Sequence, residues 1–237
     1  KGEPTHLSWE IIERVNDPLT LTMAELEKLE TLQINEALIE EKLPPKKHGH
    51  RGDRTVKALT TARDIFILEC RTCQRISDLK RFDLKDVIDG VWNNPVTKGK
   101  RLHAKKTRIP FNTKFTGPAW AILQKYKFQL PEFTEQKVNE NIKTVCMLAG
   151  IDEEITIGRW KQNKYIETKG PKYSFVTTHM ARRTFITLAL QFMVPKYVKD
   201  IAGISWKTLA HYEGQTEDQN LIAGLNSIPS TNQMKIA

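Results

Sequence analysis

The stretch Thr177-Thr178-His179-Met180-Ala181-Arg182-Arg183-Thr184-Phe185 decides how the rest of this chain is read. Thr178 is placed to cap a helix whose first turn carries His179 and Arg182, and residues three apart share one helix face. An imidazole and a guanidinium then leave a helix N-terminus on the same side. Free backbone N–H groups there already favour an anion such as phosphate. Phe185, Leu188, Ala189 and Phe192 follow at i, i+3, i+4 and i+7, an apolar stripe that buries the remainder of the helix and fixes the polar pair. A second segment comes later, Gly203-Ile204-Ser205-Trp206-Lys207-Thr208-Leu209-Ala210-His211-Tyr212-Glu213. Ser205 is placed as the N-cap of a short helix ending near Tyr212.

Composition sets the frame around these segments. The chain has 237 residues, 39% hydrophobic, 27% charged and 8% aromatic, enough to bury one large domain with a short appendage and unlike a disordered chain. No apolar run reaches the roughly 18 residues that span a bilayer, so no membrane partner is expected, and no signal peptide opens the sequence. The first residue is Lys1, as expected of a fragment. Thirty-seven Lys and Arg against 28 acids leave a net charge of +9, which suits a polyanionic partner, nucleic acid first among them. Cys70 and Cys73 form a CxxC, but with a single further cysteine nothing completes a zinc site. Two small residues on one helix, no metal, and a reducing intracellular setting are the expectations.

Along the chain, residues 1–20 read as a linker or the end of a missing domain, 21–214 as one folded domain and 215–237 as a C-terminal helix and tail. Thr22 and Glu25 form a capping box that starts a helix fading by about Leu43. The segment 44–54 is a basic Gly/Pro loop, whose His48 and His50 are read as solvated. Helix resumes over 59–71, a turn at Thr72-Cys73-Gln74 leads to Arg75, and a short helix runs from Ile76 to Arg81. Over 91–111 the turn signals Asn93-Asn94-Pro95 and Lys98-Gly99-Lys100 lie between strand-like flanks. Helices are expected at 119–127 and 134–149, a basic hairpin at 153–174 and helix again over 179–224. The class is mainly α with a small antiparallel β-sheet (α+β).

The residues now in view resemble the tyrosine recombinase (phage integrase) family, C-terminal catalytic domain. An H-x-x-R helix, a Gly-containing turn and a following tyrosine resemble its C-terminal boxes. Thr72-Cys73-Gln74-Arg75-Ile76-Ser77-Asp78-Leu79 is similar to its first box, T-G-L-R-x-S-E/D-L. Arg101-Leu102-His103-Ala104-Lys105-Lys106-Thr107-Arg108-Ile109-Pro110-Phe111 is similar to its hairpin lysine in a K-T context before an I-P-L strand. The likeness runs from about Leu21 to Tyr212, with the four boxes in the family's order. One position departs: the family commonly has His or Trp nine residues before the tyrosine. This chain has Gly203 there, or Ile204 if one residue is lost, and neither side chain can hydrogen-bond a phosphate. Trp206 is three positions out of register.

The resemblance implies a tyrosine-recombinase-like catalytic domain that cleaves and rejoins DNA through a covalent 3′-phosphotyrosine, without metal, ATP or other cofactor. Tyr212 is the implied nucleophile. Arg75 and Arg182 offer forked donors to the nonbridging oxygens. His179 takes the phenol proton or binds a phosphate oxygen. Lys106, with Lys105 and Lys98 as rivals, protonates the leaving 5′ oxygen, and Asp78 and Gly203 support the site. Residues 98–108 hold six Lys or Arg and no acid, and 159–172 hold five against Glu167 alone. Lys98, Lys100, Arg101, Lys105, Arg108, Lys161 and Lys164 are the expected phosphate contacts. The implied partner is double-stranded DNA, bound as a homotetramer of a chain monomeric in solution. The expected setting is the cytoplasm of a bacterium, the chain encoded there or by a phage, in integration or excision of a mobile element. A type IB topoisomerase-like enzyme and a noncatalytic DNA-binding relative are the alternatives.

Overall fold

The computed structural model describes residues 19–43, 54–95, 106–161 and 164–213, with backbone alone at 95, 106, 159–161, 164 and 213. The linker at 1–18, nearly all of the 44–54 loop, the tail from 214 onward and Lys98, Lys100, Arg101 and Lys105 lie outside the described residues.

Helices dominate because apolar residues recur with helical period and polar caps punctuate them. Thr22 opens α1 (Met23–Thr31) with the expected capping box: its hydroxyl accepts the Glu25 N–H, and the Glu25 carboxylate accepts the Thr22 N–H. The single helix expected from Thr22 to Leu43 is instead two. Leu32 turns extended, and the Asn35 side chain caps a new helix, α2 (Glu36–Lys42), by accepting the Leu38 N–H. An Asn read as helix interior is here a start signal.

α3 (Val56–Thr72) is the axis of the fold. Its second half is buried all round, from Ile65 through Cys70, with Glu69 the one polar residue in that stretch, and a helix buried on every side is one surrounded by protein. One side packs on α1, α6 (Glu135–Leu148) and α7 (Thr178–Leu190), where Leu26, Leu29, Phe66, Ile142 and Met180 close the largest cluster. The other side packs on α5 (Gly117–Lys125) and a small sheet, around Ile65, Leu68, Trp92, Ile109 and Leu123. Fully burying each such side chain stabilises by about 1.5–3 kcal/mol before entropy is counted.

The sheet has three antiparallel strands in sequence order, β1 (Val87–Ile88), β2 (Val91–Pro95) and β3 (Lys106–Pro110). Asn93, Asn94 and Pro95, expected as a turn, are strand residues opposite Arg108, Thr107 and Lys106. A second sheet is the two-stranded hairpin of β4 (Glu154–Lys161) and β5 (Lys164–Pro171), where the basic hairpin was expected. Most of its described side chains face solvent. After α7 come α8 (Pro195–Ala202) and α9 (Trp206–Glu213), which close a third apolar cluster. Phe192, expected on the buried stripe of α7, lies beyond the helix end at Leu190 and is 81% exposed. No helix among the described residues is long and apolar enough to cross a membrane.

Candidate active site

Arg75 is delivered by a break in the chain. α3 ends at Cys73, a left-handed C-cap with φ of 60°, a conformation usually given to glycine. The chain then turns at once into the short helix α4 (Ile76–Leu79), for which Arg75 is the N-cap residue. Asp78 supports it: Oδ2 accepts the Arg75 N–H at 3.3 Å and stands 3.9 Å from its guanidinium, while Oδ1 pairs with Arg81. The Arg75 side chain keeps 38% of its surface open.

Arg182 is different. It is 8% exposed, Nη1 donates to the Cys73 carbonyl at 2.6 Å, and Nη2 donates to the Ala202 carbonyl. One guanidinium thus ties the end of α3 to the end of α8, joining the turn that presents Arg75 to the helix pair that presents Tyr212. Two of its five N–H donors are spent this way and three are left. Thr177, not Thr178, occupies the N-cap position of α7, without a side-chain hydrogen bond. Thr178 is the first helical residue, its N–H donating to the Asn139 side chain at 2.7 Å. His179 is exposed while Arg182, three residues on, is buried, so they share a face at different depths.

Tyr212 lies on α9, which Ser205 caps as expected by accepting the Thr208 N–H at 3.1 Å. The tyrosine is 9% exposed and packs in the cluster of Phe185, Val198, Ala202, Leu209 and Cys73. Burial pushes its phenol up from the usual range, and the nearby guanidinium groups of Arg183 and Arg182 pull the other way. His179 is held below the ordinary imidazole range by partial burial, then by Arg183, Arg182 and Arg75. Arg75 is lowered by burial and then by the charge of Arg182. Mutual repulsion among these cations marks a place where a dianion-like group would be welcome.

Two residues that the sequence reading passed over belong here. Arg183 is the leading attractive charge on Tyr212 and the leading repulsive one on His179. Its spacing of four from His179, the other same-face interval of a helix, was the available signal. Glu69, 3% exposed on α3, carries an Oε2 with no partner among the described residues; burial, then Glu135, raises its carboxyl well above the usual range. Nothing local in the sequence marked it.

Gly203 is the left-handed C-cap of α8, φ 57°, and a Cβ there would meet nothing within 4 Å. Its place is conformational, at the turn between α8 and α9. Trp206 is 54% exposed beneath the Lys199 ammonium, 5.4 Å from the ring centroid. Arg108 is exposed on β3; Lys106, Lys161 and Lys164 are strand residues by backbone. Cys70 lies in α3 and Cys73 caps it, so the CxxC straddles the helix end; both thiols and that of Cys146 are free and buried. Among the described residues no group of three His, Cys, Asp or Glu could hold a metal.

No protein-family model matches the sequence, and no curated protein matches it either. Solved structures do. XerH site-specific recombinase, in a post-cleavage complex with a palindromic difH substrate, is similar over 90% of this chain and 53% of its own, at 15% identity and a TM-score of 0.52. XerA recombinase is similar over 90% and 66%, at 15% identity and a TM-score of 0.51. The pre-cleavage complex of XerH with difH gives 89% and 53%, 16% and 0.50. This chain spans 53% to 66% of the length of these recombinases. At such identities the likeness speaks for architecture: the chain has the mainly helical, small-sheet fold of a tyrosine recombinase catalytic domain.

Proposed function

We propose that this chain is the catalytic domain of a site-specific DNA recombinase or integrase that works through a 3′-phosphotyrosine. One observation carries the reading. Arg182 acts on Arg75, on His179 and on the buried phenol of Tyr212, with Arg183 acting on the last two, so three segments of chain bring these groups to one place. Such a cluster is costly without an anion and well matched to a phosphodiester.

In the proposed reaction the Tyr212 oxygen attacks phosphorus and the bond to the 5′ oxygen breaks. Arg75 and the three spare N–H groups of Arg182 neutralise charge on the nonbridging oxygens. His179, whose imidazole is lowered by partial burial and then by Arg183, Arg182 and Arg75, is suited to accept the phenol proton. A hairpin lysine, Lys106 in this reading, protonates the leaving oxygen. Religation by another 5′ hydroxyl reverses the steps and needs no cofactor. The exposed β4–β5 hairpin with Lys161 and Lys164, and the β2–β3 connection with Lys98, Lys100, Arg101 and Lys105 beside Arg108, supply phosphate contacts to double-stranded DNA. Residues 1–20 serve as a linker, 21–214 as the catalytic domain and 215–237 as a tail, in a chain monomeric alone and tetrameric on DNA. Its setting in this reading is bacterial or phage-encoded integration or excision of a mobile element.

The test is a nicked suicide duplex, selected from a pool randomised over its centre, followed by a denaturing gel. The unaltered chain gives a covalent adduct, and Tyr212→Phe gives none while binding the same duplex. An adduct of equal yield from both removes Tyr212 from the role. Binding with no adduct from either supports the second reading, a noncatalytic DNA-binding relative, which the missing side chain at Gly203 favours. Relaxation of supercoils by a monomer that never joins two sites would point to a type IB topoisomerase-like enzyme.

A further inference from the structure

Gln74 and Asn94 are two neutral amides, 3% and 2% exposed, in the seam between α3 and the three-stranded sheet. The Asn94 Nδ2 donates to Gln74 Oε1 at 2.6 Å. The Gln74 Nε2 in turn donates to the Thr72 carbonyl at 3.0 Å, and the Thr72 hydroxyl donates to the Leu68 carbonyl at 2.5 Å. A chain of hydrogen bonds therefore runs from the last turn of α3, through the residue preceding Arg75, into β2. Asn94 stands opposite Thr107 in the β2–β3 register, and Pro95 opposite Lys106. Everything from 96 to 105, with Lys98 and Lys105, is the connection between those two strands.

Buried amides are expensive unless paired, and an apolar residue would fill either position more simply. Leucine is what the first-box pattern has where this chain has Gln74. The pair does what apolar packing cannot, which is to fix direction and register between two elements.

We propose that Gln74 and Asn94 are positioning residues that hold the β2–β3 hairpin, and with it the lysine that protonates the leaving oxygen, in register with Arg75. This rests on the proposed phosphotyrosine chemistry but not on which of Lys98, Lys105 or Lys106 is the acid, since in sequence all three fall between Asn94 and Thr107, the paired residues of β2 and β3. In the cleavage step the phosphorus–5′-oxygen bond breaks, its electron pair goes to that oxygen, and the lysine ammonium supplies the proton. A hairpin displaced by about 1 Å would lose on the order of 10²-fold in that transfer while the two arginines still hold the phosphate.

The experiment uses Gln74→Leu, Asn94→Leu and the double variant in the full chain, on the selected duplex in two forms. One form has the ordinary 5′ oxygen at the cleaved bond, the other a bridging sulfur. A thiolate leaving group, with a thiol pKa of about 8.5, departs without a proton. The variants should bind DNA within about 2-fold of the unaltered chain and cleave the oxygen duplex roughly 10²-fold more slowly. On the sulfur duplex they should recover to within a few-fold, as should Ala at the catalytic lysine, whereas Arg75→Ala stays slow on both. The double variant removes both amides and leaves only the Thr72 carbonyl without its side-chain donor, so it carries the test if a single variant melts too low.

Folded variants that cleave the oxygen duplex at the unaltered rate overturn the proposal, as does a loss that sulfur does not restore. Failure of the unaltered chain to cleave either duplex is a different result: it refutes the phosphotyrosine reading, and this inference falls with it.

Discussion

Replacing Arg182 by Ala separates the two duties of that side chain and gives the sharpest test of the geometry. Its guanidinium donates to the carbonyls of Cys73 and Ala202, each at a helix C-terminus and each in the interior. Leaving a buried acceptor unpaired costs about 2 kcal/mol, so two of them make roughly 4 kcal/mol. For a domain of this size the melting temperature falls by about 3 °C per kcal/mol, or roughly 12 °C in all. Arg182→Lys retains the charge but not the fork, reaches one carbonyl, and should lose about half as much. Arg75→Ala is the control: its side chain is 38% open and its contacts are with Asp78, so it should melt within about 2 °C of the unaltered chain. Thermal scans and urea unfolding, compared at equal m-value, measure all three. An Arg182→Ala melting point within about 3 °C of the parent, or an equal loss in Arg75→Ala, would refute the idea that Arg182 ties two helix ends together.

Gly203→His supplies the ring that the family pattern has, but at φ 57° any side chain carries about 1–2 kcal/mol of backbone strain. With no neighbour near the added Cβ, the loss should stop there, and chemical denaturation would show it. Cys73→Gly removes strain of the same size at φ 60° and gives up a small buried side chain, so its unfolding free energy should change by less than about 1 kcal/mol. Acidification tests His179. Its folded pKa lies below the unfolded value, so the unfolded chain binds more protons as pH falls through about 6.5 and the native state loses stability there. His179→Gln should flatten stability between pH 7 and the lower folded pKa, measured by urea midpoints; an unchanged slope refutes it.

The elements that local chemistry specifies were legible from sequence. The Thr22–Glu25 box, the Ser205 cap and the β4–β5 hairpin each follow from residues a few positions apart, and each is in the structure. Arg75 and Asp78 were singled out by the resemblance to the first box alone; the structure brings the two together across the single turn of α4. What sequence concealed depends on distant partners. Asn94 looks like a turn residue until Gln74, twenty positions earlier, supplies its hydrogen bond. Asn35 resembles a helix interior until the chain around it turns extended. Phe192 continues an apolar period past the point where α7 stops at Leu190. Glu69 gives no local sign, since its burial and its nearness to Glu135 and Arg182 exist only when α3 packs against α6 and α7. Arg183, four positions from His179, shares a helix face with it as Arg182 does at three, so the two arginines compete for one signal in sequence.

The packing of Tyr212 into a pocket made by its own polypeptide has a consequence for assemblies. Phe185, Leu209 and Ala202 seat the ring from the same chain that contributes the arginines. If the proposed chemistry holds, a subunit arranged like this would supply its own tyrosine, so two crippled subunits should not cure each other. Mixing Tyr212→Phe with Arg75→Ala protein would leave the DNA uncut, whereas an enzyme that lent its tyrosine to a neighbour would regain activity in the mixture.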